Sequence, residues 1–139
     1  MRIAFVSSVA PIAPSPVASR RLYVETLGLP LVEHDTSGYA SSEEVDGVRH
    51  LGVWPLEQAA EACFGRSTWP EGRPVPQASI EFEVEREGDV APAVEELRAA
   101  GHDVLHDARM EPWGQTVARL QSPEGLIVGI SYAPWMHDG

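Results

Sequence analysis

Residues 80–101 read IEFEVEREGDVAPAVEELRAAG, and this stretch decides the fold. Ile80, Phe82 and Val84 alternate with Glu81, Glu83 and Glu85, the period-two pattern of a half-buried strand. Val90, Ala93, Val94 and Leu97 then recur at i, i+3, i+4 and i+7, one face of an amphipathic helix. Asp89 stands where an N-cap belongs, and Gly101 where a helix stops. Three strands are predicted after it, at 103–106, 115–121 and 126–132, with Ser122-Pro123-Glu124-Gly125 as the last hairpin turn.

Working outward, the same order appears upstream. Residues 2–9, RIAFVSSV, read as a strand that Pro11 and Pro14 cut short. Ser15-Pro16 opens a helix, with serine as N-cap and proline at the first helical position, and Gly28 closes it. Strands are predicted at 29–33, 39–42 and 48–54, then a short helix over 56–64. Residues 65–76, GRSTWPEGRPVP, read as a Pro/Gly-rich linker. Strand, helix and three strands therefore occur twice, a repeat of pattern and not of letters. The expectation is one α+β domain over 1–139: module one at 1–64, the linker at 65–76, and module two at 77–139.

Composition excludes several classes. The net charge is −11, with ten arginines, no lysine and 21 acidic residues, which argues against a nucleic-acid partner. Cys63 is the single cysteine, so neither an internal disulfide nor a Cys-rich zinc site is available. No apolar run has the length of a membrane span. A cytoplasmic protein is expected. There is no GxSxG, Walker loop or GxGxxG.

Three stretches carry a family resemblance. Ala18-Ser19-Arg20-Arg21-Leu22-Tyr23-Val24-Glu25-Thr26-Leu27-Gly28-Leu29 is the first. Ile80–Val84 followed by Glu95-Glu96-Leu97-Arg98-Ala99-Ala100-Gly101 is the second. Trp113-Gly114-Gln115 through Ser122-Pro123-Glu124-Gly125-Leu126-Ile127-Val128 is the third. In order and spacing they resemble the glyoxalase/bleomycin resistance/extradiol dioxygenase (vicinal oxygen chelate) superfamily. The resemblance implies two βαβββ modules forming a curled mixed sheet, or cup, that binds a small molecule, and a homodimer.

It also implies a divalent metal on inner strand faces, and here the residues depart from the pattern. The first strand offers Phe5, Ser7 or Ser8, with no histidine before His34. The second position falls near Ser79, with Gln77 close by, and the final glutamate position is Gly129. Glycine cannot coordinate, and its absent side chain leaves space for a ligand. No cofactor and no metal are therefore expected.

The expected ligand-binding residues are His50, Trp54, Glu81, Trp113 and Gln115. Trp54 and Trp113 stand at strand ends, where indoles can stack on a flat ligand. His50 reads either as a ligand contact or as a hydrogen-bonded, half-buried histidine. Glu81 reads as a carboxylate facing either a cationic ligand group or solvent, and Glu83 as lying nearer the rim. His102 and His106 read as surface histidines, and His137 carries no signal. The function expected is non-catalytic binding and sequestration of an aromatic ligand, cationic where the acidic balance is used. The alternatives are a metal-dependent lyase or dioxygenase with a relocated site (Gln77, His50, Glu81), a metal-free isomerase with Glu81 as base, and a fold-only module.

Overall fold

The computed structural model describes residues 1–33 and 35–137, so His34 lies outside the described residues. Eight strands of mixed direction follow the order β2-β3-β4-β1-β5-β8-β7-β6, which makes the chain α+β. The strands are β1 Ile3–Ala13, β2 Val32–Glu33, β3 Ala40–Ser42, β4 His50–Pro55, β5 Ala78–Val84, β6 Asp103–Met110, β7 Thr116–Gln121 and β8 Ile127–Tyr132. The α-helices are α1 Pro16–Arg20, α2 Leu56–Phe64 and α3 Val90–Ala99. Among the described residues no helix is long and apolar enough to cross a membrane.

The chain forms two compact units, Ser8–Ser79 and Met1–Ser7 with Ile80 onward. In the first, β1 pairs parallel with β4, and β3 pairs antiparallel with β4 and β2. Pro11 does not end β1 as its sequence suggests; the strand runs through it, and the next amide, Ile12 N–H, donates to the Gln77 carbonyl at 2.9 Å. Ser15 caps α1 as expected, its hydroxyl accepting from the Ala18 amide at 3.3 Å. The helix then widens into π-type turns over Arg21–Thr26 before Gly28, at φ 71°. Ala13, Leu31, Ala40 and Val53 form the buried core, with Tyr23 and Val24 against it. Residues 65–76 pack on their own unit: Trp69 is buried, its indole N–H donates to the Pro74 carbonyl at 2.9 Å, and its ring meets Phe64 edge-on.

In the second unit α3 covers one face of its strands. Val90, Ala93 and Val94 are buried and Leu97 packs beside them, the stripe read from the sequence. Their partners are Val84, Ala118, Leu120 and Ile130. Each fully buried valine contributes roughly 1.5–3 kcal/mol. Asp89 does not cap α3 through its side chain; a 3₁₀ turn over Glu87–Asp89 leads into the helix instead. β6 runs on to Met110, four residues past the expected end, with register shifts between Val104 and His106 and between His106 and Arg109.

Candidate functional site: a polar face opposite α3

Strand pleat decides which side chains leave the α3 core. Phe82 and Val84 pack with α3, so Glu81 and Glu83 take the other face of β5. In the β7–β8 hairpin Ala118 pairs with Ile130 on the α3 side, so Arg119 with Gly129 and Val117 with Ser131 share the opposite face. Gly129 is covered there. A Cβ built on it would lie 2.8 Å from Glu81 Cγ and 3.4 Å from Glu81 Oε2. The space expected at Gly129 is thus filled by the Glu81 side chain reaching across from the neighbouring strand.

A directed hydrogen-bond chain runs through this face. The Glu111–Gln115 turn joins β6 to β7, with the Gly114 amide donating to the Glu111 carbonyl at 2.9 Å and Gly114 at φ 95°. That turn holds Trp113 at 59% exposure, with its indole N–H donating to Gln115 Oε1 at 2.8 Å. Gln115 is buried, and its Nε2 donates to Glu81 Oε1 and to Ser131 Oγ, both at 3.0 Å. An indole nitrogen only donates and a carboxylate only accepts, so the amide has one possible orientation. Ser131 passes its own proton to Glu83 Oε1 at 2.7 Å.

Glu83 is 0% exposed, the opposite of a rim position. Its Oε2 accepts from the Ala133 amide and, at 2.8 Å, from His137 Nε2. The His137 ring stacks on Tyr132 and tilts against Phe5. His137, silent in the sequence, therefore ties the segment after β8 to a buried carboxylate.

A second group lies along the same face. Arg119 is 2% exposed and donates to Glu111 Oε1 at 3.0 Å. It also meets His106 Nε2 at 3.2 Å, while His106 Nδ1 lies 2.7 Å from the Asp107 carbonyl. The carbonyl requires a proton on Nδ1, which leaves Nε2 as acceptor for Arg119, so the ring is neutral. Burial, with the charges of Arg119 and Arg109, lowers the His106 pKa to about 4 against the opposing pull of the backbone bond and Glu111. His106 is thus half-buried where a surface histidine was expected; the register shifts in β6 bring it opposite Arg119. Burial acts to raise the Glu111 pKa, but the hydrogen bond and charge of Arg119, with Arg109, outweigh it and hold the carboxyl below its ordinary value.

Of the five residues expected from the sequence, Glu81, Trp113 and Gln115 come together in one chain of bonds. His50 and Trp54 stand on β4 in the other unit. There the Tyr39 hydroxyl meets His50 Nε2 at 2.7 Å, its ring lying over Gly52, where a Cβ would come 2.7 Å from that oxygen. Trp54 is half-buried and pairs in register with Ile12. The sequence reading missed Ser131, Arg119 and Glu111 and undervalued Glu83, His106 and His137. Alternation in β7 and β8 was the available signal for Arg119 and Ser131, both on the non-core phase.

The metal implied by the family resemblance does not fit these residues. Gly129 has no donor, Ser7 spends its hydroxyl on the Glu81 carbonyl at 3.1 Å, and Gln77 is exposed. Among the described residues no three His, Cys, Asp or Glu side chains converge on one point. A divalent ion needs several such donors at once.

No family model and no curated protein matches the sequence. Solved structures do match its fold. A glyoxalase/bleomycin resistance protein/dioxygenase superfamily member from Vibrio splendidus superposes with TM-score 0.61 at 14% identity, over 92% of this chain and 97% of that one. The Mn(II)-bound glyoxalase from Novosphingobium aromaticivorans gives 0.60 at 19% identity, over 94% of this chain and 39% of that longer one. Streptomyces coelicolor methylmalonyl-CoA epimerase, in complex with 2-nitronate-propionyl-CoA, gives 0.59 at 14% identity, over 99% and 100%. Repeated strand–helix–strand order, eight-strand topology and these superpositions agree: the chain has the fold of the glyoxalase/bleomycin resistance/dioxygenase superfamily.

Proposed function

We propose that the protein binds and sequesters a small aromatic molecule bearing a cationic group, without transforming it. The carrying observation is an exposed indole fixed to a half-buried carboxylate through one amide: Trp113 to Gln115 to Glu81. A fixed aromatic face offers contact area at little entropic cost. Glu81 supplies the counter-charge. Gln115 sets their spacing, and the buried Ser131–Glu83 pair keeps Gln115 from turning.

A homodimer in the cytoplasm, with drug resistance as its biological role, completes this reading. Tryptophan-fluorescence titration against a panel of aromatic antibiotics tests it, together with metal analysis of protein purified without chelator or His-tag. A saturable quench by a cationic member, without metal, is expected. Stoichiometric metal with no quench sinks the proposal.

One observation favours a second reading. The Glu81 carboxylate is held by one oxygen, with the other lying over Gly129, a posture suited to a proton-abstracting base in a metal-free isomerase. Deuterium uptake from solvent into a bound carbonyl compound, abolished by Glu81→Gln, identifies that activity.

A further inference from the structure

The position at which the family resemblance places a metal-binding glutamate on β8 is held here by Gly129, and what lies over it is the glutamate of β5. The three heavy atoms nearest to a Cβ at 129 all belong to Glu81: Cγ at 2.8 Å, Cδ at 3.4 Å and Oε2 at 3.4 Å. Separations under 3.0 Å are not tolerated, and Cγ is the middle of a side chain whose far end is tied to Gln115 at 3.0 Å. The backbone at 129 lies outside the left-handed region, so its conformation does not demand glycine. Room for Glu81 is what demands it.

We propose that Gly129 determines the site's specificity by letting β5, and not β8, supply the carboxylate, so that the site takes an organic ammonium or amidinium cation and not a divalent metal ion. This ligand class rests on the binding function proposed above; the pairing of Gly129 with Glu81 does not.

The surrounding groups support the assignment. Gln115 spends its amide on Glu81 and Ser131, and Ser131 spends its proton on Glu83. Glu81 is therefore one anionic acceptor among satisfied neighbours, which suits a single directional N–H donor. A metal ion would find too few ligands. Arg119 stands in register opposite Gly129, on the same face and on the next strand. Its guanidinium is held by Glu111 Oε1 at 3.0 Å.

A double-mutant cycle tests the pairing without any ligand. Gly129→Ala, Glu81→Ala and the double variant are compared by urea unfolding and by the Trp113 indole N–H resonance, assigned with Trp113→Phe. Gly129→Ala is expected to lower the folding constant about 5- to 150-fold, the range for overpacking, and to move the indole resonance. In the Glu81→Ala background the same substitution is expected to do neither. Equal effects in both backgrounds overturn the proposal, and if Gly129→Ala alone does not fold, a folded double variant still supports it.

The ligand class is tested with benzamidinium chloride and with manganese(II) chloride, followed through the Trp113 indole and Gln115 amide resonances. Benzamidinium is expected to shift both in the wild type and neither in Glu81→Gln. Absence of a shift at the solubility limit, or stoichiometric broadening of the Gln115 amide by manganese, overturns the cation assignment. A benzamidinium shift with no antibiotic binding removes the sequestration reading and leaves this inference standing.

Discussion

Replacing Glu83 by alanine is expected to destabilise the protein by about 3–5 kcal/mol, and replacing it by glutamine by only about 1–2 kcal/mol. The carboxylate is 0% exposed and accepts three hydrogen bonds, from the Ser131 hydroxyl, the Ala133 amide and His137 Nε2. Alanine removes the acceptor of all three bonds. Ser131 and Ala133 are buried and cannot turn to water, and each stranded donor costs roughly 1–3 kcal/mol. His137 is half-buried and rehydrates at little cost. The emptied volume adds a cavity penalty.

Glutamine keeps the volume and one oxygen. That oxygen can serve Ala133 and His137 while the new amide donates to Ser131, which retains a lone pair for it. Urea unfolding at pH 7 with linear extrapolation measures both variants. Two results refute the reasoning: a loss below about 1 kcal/mol for alanine, or the same loss for alanine and glutamine.

Three further outcomes follow from other parts of the structure. The unfolded chain protonates His106 near its ordinary value of 6.5 and the folded chain only near about 4, so the unfolded state binds more protons between these values. Its stabilising contribution is complete above pH 6.5 and is lost as pH falls toward 4, amounting to on the order of 1 kcal/mol after discounting for its solvent contact. Glu111, whose carboxyl is held below its ordinary 4.5, adds acid sensitivity of the same sign at lower pH. The difference between wild-type and His106→Gln unfolding curves over this window measures the histidine's part; parallel curves would remove it. Trp113→Ala is expected to weaken binding of a cationic aromatic antibiotic by more than ~1 kcal/mol by titration while the protein still folds, because the ring is exposed. Unaltered affinity would end the stacking model. Gly52→Ala is expected to cost about 1–3 kcal/mol and displace the Tyr39 ring from His50, with Tyr39→Ala relieving the clash. Unfolding of the single and double variants checks it, and additive losses would contradict it.

Much of the fold was legible because it rests on local periodicity. The alternation at Ile80–Val84 and the stripe Val90, Ala93, Val94, Leu97 both match the buried core of the second unit. Ser15 and Gly28 bracket the first helical segment as their backbone chemistry requires. Element ends were less legible where non-local pairing overrides a local signal. Pro11 sits inside β1, and β6 continues to Met110 because β7 is there to pair with it.

The candidate site divides along the same line. Sequence by itself determined that Glu81 and Glu83 leave the apolar face of β5, that Trp113 stands at a strand end, and that position 129 offers no metal donor, since each follows from strand period or residue chemistry. Only the tertiary structure decided which carboxylate is buried. Glu81 and Glu83 share a face and a strand, yet one keeps solvent contact while the other disappears beneath the Ala133–His137 segment. Likewise Gly129 read as empty space until Glu81 crossed over it from the adjacent strand. Periodicity assigns a side chain to a face; its neighbours on that face come from residues 16, 34, 48 and 54 positions away, and only the tertiary fold, through strand pairing and the segments that flank the strands, brings those together.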